Sequence, residues 1–430
     1  MGWNSYDYYD TSVTEADVRA NADYMANHLK EYGWEYIVVD IQWYAKKTGS
    51  MRDKYQYIPF GGIEMDEFGR LWPDPEKFPS AVRKDGAKSG FGPLADYVHS
   101  LGLKFGIHMM RGIPREAAHR HLKIMGSMAL ASEIADPHSI CAWNPDMYGI
   151  RKDANGAQDY YDSVIQLYAD WGVDFIKCDD ICTTNMNLLH PYAAAHEVEM
   201  IAKAIEKCGR PVMFSLSPGP AVVSRASHYG RYANMWRITD DFWDSWDHLL
   251  HMFYQCEKWQ NYVQEGSYPD CDMLPVGMIG KGFGKERRTN FTWEEQKTMM
   301  TLWCMFGSPL MIGAELTKLD SETTTLLTNR EVLKLLSNDY VGRQAELERD
   351  YAVWSSLNKK TGEKYIALFN LAEEERQIGI SIGQIQQFNG ELIQKTGMAY
   401  ELWSGESCRI QNGYIGAKIP EHGVKIFQIK

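Results

Sequence analysis

The sequence predicts an α/β protein in which a closed (β/α)8 barrel of the TIM type is followed by a C-terminal antiparallel β-sandwich domain. Three observations carry this. Eight short apolar runs rich in β-branched and aromatic residues recur over roughly the first 315 residues, longer stretches of helical period separate them, and the texture changes to short strands and turns past Asn338. The runs are residues 2–5, 36–41, 103–108, 173–179, 212–217, 235–239, 273–277 and 309–313, taken below as strands one to eight.

The first unit shows how the elements are read. Thr14 is placed to cap a helix whose apolar positions Val18, Ala22, Met25, Leu29 and Tyr32 recur every three or four residues, and Gly33 ends it. The run 36–41 is continuous enough to be buried on both faces, with Asp40 near its C-terminal end. Helical stretches at 157–171 and 294–306 fit the same alternation. An open doubly wound sheet is the rival architecture, but no GxGxxG or P-loop pattern follows any strand. Residues 109–153, with Gly112, Pro114, Pro137 and Pro145, are too long for a simple loop and are expected to cover one end of the barrel as a lid. Runs at 351–355, 365–369, 378–382 and 424–429 mark the second domain. The expected division is 1–338 for the barrel and 339–430 for the β-domain.

Composition narrows the function. The chain has 430 residues, 44% of them hydrophobic and 24% charged, a balance that supports a large buried core and excludes a disordered chain. The net charge of -12 repels phosphate backbones, so nucleic acid is not an expected partner. No apolar run reaches the ~18 residues of a membrane helix, so no membrane partner is expected. Aromatic residues make up 13%, which suits stacking on sugar faces as well as core packing. The eight cysteines show no paired CxxC spacing and read as mostly free thiols. The opening Met1-Gly2-Trp3-Asn4 has neither a basic nor an apolar leader region, which favours a cytoplasmic protein. The reading admits a homo-oligomer.

In such a barrel the C-terminal strand ends line the active site, and Asp40, His108, Lys177, Asp179, Ser217, Arg237 and Asp241 fall at or just beyond them. In Lys177-Cys178-Asp179-Asp180 the side chains alternate, so Lys177 and Asp179 share one face and Cys178 and Asp180 the other. An ammonium beside Asp179 would keep it ionised as a nucleophile. Asp241, followed by Trp243 and Trp246, is a candidate general acid if aromatic surroundings desolvate it. Two carboxyls at one barrel mouth meet the need of glycoside hydrolysis.

The motifs Met1-Gly2-Trp3-Asn4-Ser5, Val39-Asp40-Ile41-Gln42-Trp43, Lys177-Cys178-Asp179, Trp236-Arg237 followed by Asp241, and Pro269-Asp270-Cys271-Asp272-Met273 resemble, in order and spacing, glycoside hydrolase family 27. The similarity spans essentially the whole chain. It implies a retaining α-galactosidase or α-N-acetylgalactosaminidase with a barrel and a C-terminal β-domain, acting on an oligosaccharide or glycoside without metal or other cofactor. Carried over, Asp179 is the nucleophile and Asp241 the acid/base. Asp179 attacks the anomeric carbon while Asp241 protonates the leaving oxygen; Asp241 then activates water. Retention predicts carboxyls ~5–5.5 Å apart. The resemblance also assigns substrate contacts to Trp3, Tyr6, Asp40, Ile41, His108, Lys177, Ser217 and Arg237, with Asp40, Lys177 and Arg237 binding hydroxyls.

Three departures bear on the sugar. Where α-galactosidases of the family carry a second Asp that grips O6, this chain has Ile41, which accepts no hydrogen bond. Ile41 therefore suits a sugar without the hydroxymethyl arm, as in family members that are β-L-arabinopyranosidases. Ser217 and Pro220, in place of the usual Glu and Leu, leave room for an acetamido group, so the two clues point to different sugars. His108 replaces the usual strand-three Tyr.

Two rivals of other classes are a metal-dependent hydrolase using His119 and His121, and a non-catalytic sugar-binding barrel. Residues two apart on a helix face different ways, which weakens the first; the presence of both acids weakens the second. Cys178 and Cys182 read as packing groups and residues 280–284 as a flexible loop. Trp243 and Trp246 are open to sugar stacking or closure of the barrel top, and Asp272 to support of the nucleophile or a structural hydrogen bond.

Overall fold

The computed structural model describes residues 1–46, 62–184, 189–388 and 396–429. Its contacts divide the chain into two compact units, one of Met1–Asp241, Met273–Arg288 and Met311–Leu319, the other of Phe242–Asp272, Thr289–Leu310 and Asp320–Lys430.

The first unit is built on parallel strands β1 (Gly2–Asn4), β2 (Tyr36–Val39), β3 (Lys104–Met110), β4 (Phe175–Asp179), β5 (Met213–Leu216), β6 (Met235–Arg237) and β7 (Met311–Ile312). They neighbour one another in the order β6-β5-β4-β3-β2-β1-β7. Leu274 bridges in parallel to Ile312, so the far edge of β7 is also occupied. An open sheet would leave that edge unpaired. The run expected as a strand at 273–277 supplies only this bridge. The strand found nearby is Tyr268–Asp270, which belongs to the second unit. Pro275 explains the shift, since it has no N–H for a ladder.

The first helix runs Glu15–His28 with Thr14 at its N-cap. The Asp17 amide donates to Thr14 Oγ1 at 3.4 Å and the Thr14 amide to Asp17 Oδ2 at 2.9 Å, a reciprocal capping box. Val18, Ala22, Met25 and Leu29 are all fully buried, as their spacing predicts. A 3-10 turn, Lys30–Tyr32, then leads to Gly33 at φ 96°.

Inside the ring, Val38 of β2, Phe175 of β4, Met235 of β6 and Met311 of β7 form one buried cluster with Met273. These are side chains from alternate staves, the layered filling expected of such a barrel. Gly106 on β3 makes room for them: a Cβ there would lie 2.9 Å from both Phe175 Cβ and Val38 Cγ2. Strand alternation then fixes the next layer towards the C-terminal mouth, because Asp40, Lys177 and Arg237 each follow a member of that cluster by two residues.

The segment after β3 folds on its own three-stranded antiparallel sheet of Ile113–Pro114, Met147–Ile150 and Ala135–Ile140, with short helices Arg115–His119 and Ala131–Ile134. In the second unit, Tyr340–Leu347, Tyr351–Asn358, Lys364–Asn370, Val424–Ile429, Thr396–Glu401, Ser407–Gln411, Tyr414–Ile419 and Arg376–Ser381 make an antiparallel sheet in that spatial order. Its core includes Val353, Ile366, Leu368, Ile378, Ile380 and Phe427. Among the described residues no helix is long and apolar enough to cross a membrane.

Candidate active site

The barrel mouth holds a buried charge network that alternation in β2 and β4 brings together. Lys177 Nζ lies 2.9 Å from Asp40 Oδ2 and 3.9 Å from Asp179 Oδ2. Asp40 Oδ2 also accepts from Asn4 Nδ2 at 2.7 Å, and its Oδ1 accepts from the Ile41 amide at 2.7 Å. Burial alone would raise the Asp40 and Asp179 carboxyls, but Lys177 overrides it and holds both below the usual carboxylate range. Conversely, burial would lower Lys177, and the two carboxylates raise it above the usual ammonium value. Asp179 is therefore an ionised carboxylate in a site that is nearly closed to water, with 6% of its surface exposed.

Two more side chains fix Asp179. His108 Nε2 lies 2.7 Å from its Oδ2 and the ring is fully buried; the Ser217 side chain also favours its ionised form. Tyr6 stands at the edge, half-buried, its ring centroid 5.6 Å from Lys177 Nζ and packed edge-on against Phe283. Asp40, His108 and Asp179 offer donor atoms within 4.8 Å of one another, a set able to hold a metal ion, but the Lys177 ammonium already supplies a cation to both carboxylates.

Asp180 faces away from Asp179, as alternation requires. Its φ is 56° and it pairs with Arg111 at 2.7 Å, while Arg111 also pairs with Glu197 at 2.8 Å. Burial pushes Asp180 up to about 7, because Arg111 is shared and offsets that burial only in part.

Asp241 differs from its expected surroundings. Its side chain is 55% exposed and lies 3.2 Å from Arg237 Nη2, so the desolvation expected of a general acid is not seen. Arg237 is itself buried and close enough to Lys177 to oppose its charge, which links Asp241 electrostatically to the network. Asp240 is exposed and accepts the Asp241 amide at 2.9 Å.

Three comparisons bear on this geometry. Residues 148–338 match the family model described as alpha galactosidase A, and residues 348–429 match the alpha galactosidase C-terminal beta sandwich domain. The chain is 47% identical to a GH27 β-L-arabinopyranosidase from Geobacillus stearothermophilus, covering 100% of this chain and 95% of that one with a TM-score of 0.92. The chain belongs to glycoside hydrolase family 27. This family-27 enzyme is also 43% identical to a structure from Bacillus halodurans provisionally named an α-N-acetylgalactosaminidase, covering 100% of this chain and 96% of that one with a TM-score of 0.86. Alpha-galactosidase 2 of Arabidopsis thaliana is 25% identical over 433 residues, 100% of this chain and 88% of its own length.

Several sequence expectations for this glycosidase change on the structure. Trp3, expected to touch sugar, is fully buried and its indole N–H donates to the Ala314 carbonyl at 2.7 Å. Trp246 stacks on His422 with centroids 3.6 Å apart, which favours a packing role over sugar stacking. Asp272 accepts the Phe242 amide at 2.8 Å, the structural alternative. His119 and His121 bond different partners, Tyr148 and Ser132, so the HxH pair is not assembled. Cys178 and Cys182 are fully buried thiols. Sequence reasoning missed Asn4, whose position two residues after Gly2 on β1 was a usable signal, and Arg111 with Glu197, for which there was none.

Proposed function

We propose that this family-27 glycosidase is a retaining exo-enzyme that removes terminal β-L-arabinopyranosyl residues. The observation that carries this is Ile41: the position after Asp40, where a carboxylate would be needed to hold O6, is an aliphatic side chain with 3% of its surface exposed. A C6 hydroxyl brought there loses its water without gaining an acceptor, which costs roughly 1–3 kcal/mol. A pentopyranose with galactose-like ring configuration has no such group. The similarity to the Geobacillus enzyme supports the same reading.

The chemistry follows the charge network. Asp179 attacks C1 and forms a glycosyl ester as the glycosidic bond breaks; Asp241, protonated at that moment, gives its proton to the leaving oxygen. Asp241 then removes a proton from water, which attacks C1 and frees Asp179 with net retention. Lys177 and Asp40 stand beside the attacking carboxylate, where they can bind ring hydroxyls. Terminal α-galactosides are the second reading, since the ring hydroxyls of the two sugars match. An α-N-acetylgalactosaminide is supported less, because Ser217 is 2% exposed.

The test compares p-nitrophenyl β-L-arabinopyranoside, α-galactoside and α-N-acetylgalactosaminide on one preparation, for the wild type and Ile41→Asp. The expected result is preference for the arabinoside, with the ratio shifted towards galactoside in Ile41→Asp by about 5- to 150-fold, the equivalent of ~1–3 kcal/mol. Unchanged ratios in the variant would overturn the role given to Ile41.

A further inference from the structure

Arg111 follows β3 directly, beside the end of the strand that carries the nucleophile, and the chemistry above gives it no task. Its backbone amide donates to the Asp179 carbonyl at 3.1 Å, adding one more bond to the β3–β4 ladder. Its side chain turns onto the next residue: Nε donates to the Asp180 carbonyl at 2.5 Å, and Nη2 pairs with Asp180 Oδ2 at 2.7 Å. One buried residue therefore holds the carbonyls of both 179 and 180 and the carboxylate of the second. Among the described residues, the backbone bonds on the opposite side join Cys178, Ile181 and Cys182 to Ser217, bracketing that pair.

Asp180 has φ 56°, a left-handed conformation uncommon outside glycine, which persists where surrounding bonds over-determine it. This twist comes immediately after Asp179 and ends β4, so it bears on where the attacking carboxylate points. The guanidinium is itself fixed from behind. Its Nη1 donates to Glu197 Oε1 at 2.8 Å and to Ser139 Oγ at 3.0 Å, and the Tyr161 hydroxyl donates to the other Glu197 oxygen at 2.5 Å. A Cβ on Gly149 would lie 2.4 Å from both Arg111 Nη1 and Ser139 Oγ, so the bare backbone at 149 leaves the guanidinium its place.

We propose that Arg111 is a positioning residue for the nucleophile: by latching the backbone of Asp179 and Asp180, it fixes the direction from which the Asp179 carboxylate meets C1. The proposal rests on the reading of Asp179 as the attacking group. Attack needs the reacting atoms within a narrow range of distance and angle, and a displacement of about 1 Å can cost on the order of 100-fold. His108 and Lys177 act on the carboxylate oxygen, whereas Arg111 acts on the backbone that carries it. A lysine at 111 would keep the charge, but a single ammonium cannot serve the Asp180 carbonyl, the Asp180 carboxylate and Glu197 as the planar fork does.

The experiment measures kcat, KM and the urea unfolding midpoint for wild type, Arg111→Lys and Glu197→Gln, on whichever p-nitrophenyl glycoside the wild type hydrolyses best. Glu197→Gln disturbs the same buried charge cluster but leaves the three bonds to residues 179 and 180, so it controls for lost stability. The expected result for Arg111→Lys is a kcat lower by about 10- to 100-fold with KM within about 2-fold of wild type. Glu197→Gln should lower the midpoint and keep kcat within about 2-fold. A kcat for Arg111→Lys within about 2-fold of wild type, or equal kcat losses in the two variants, overturns the proposal. Should Arg111→Lys not fold, Asp180→Ala decides, since it leaves Arg111 paired with Glu197 and removes the carboxylate link. A fall in kcat with KM held is then expected, and an unchanged kcat overturns the proposal. Asp179→Asn tests the nucleophile separately, so failure of that reading and failure of the latch are told apart.

Discussion

His108 Nε2 stands 2.7 Å from Asp179 Oδ2, with the ring fully buried and the two residues 71 positions apart. Together with Lys177 it turns a carboxylate that burial alone would neutralise into one ionised far into acid.

Asp179→Asn should abolish turnover. An amide cannot form the glycosyl ester, so kcat is expected to fall by roughly 10³-fold or more while the fold is retained. Steady-state hydrolysis of a p-nitrophenyl glycoside, with the thermal unfolding midpoint as a control, checks this. Residual activity near wild type would remove Asp179 from the chemistry.

Lys177→Met should damage both activity and acid tolerance. Removing one partner of a buried pair leaves Asp40 and Asp179 uncompensated, a cost of about 3–5 kcal/mol measurable by urea unfolding at neutral pH. The sign with pH follows from the shifts. Asp40 and Asp179 have depressed native values, so their stabilisation is present above the unfolded carboxylate pKa and is lost as pH falls through the native ones. Without Lys177 that loss should begin at higher pH. The raised Lys177 value adds stability that is lost only as pH rises past its native pKa, above the usual ammonium range.

Arg111→Met should destabilise by a similar ~3–5 kcal/mol, because Asp180 and Glu197 lose a shared buried partner. Adding Asp180→Asn should restore part of the unfolding midpoint, since one of the two stranded carboxyls is then gone. No recovery in the double variant would mean that Arg111 acts through packing alone.

Much of the site could be read in the primary structure because a strand alternates with a period of two. Val38 and Asp40, Phe175, Lys177 and Asp179, and Met235 and Arg237 share faces by counting alone, and the same count sets Asp180 apart from Asp179. The second unit was legible only in part. Strands 351–358, 364–370, 376–381 and 424–429 carry apolar cores, whereas 340–347 is half-exposed and polar, and 407–411 and 414–419 bury only short alternating sets, Ile410 with Cys408 and Ile415 with Ile419, between exposed residues.

The chain by itself determined the alternating strands and helices, the inward residues of each stave, and the motifs that place it in its family. Only the tertiary structure decided that Trp3 is core, that Asp241 is open to water beside Arg237, and that His108 clasps Asp179 while Arg111 binds Asp180 and Glu197. Periodicity is a local property of the backbone. Partners separated by tens of residues meet only through the register of neighbouring strands and the path of the connecting segments, and it is their mutual burial that sets charge and exposure.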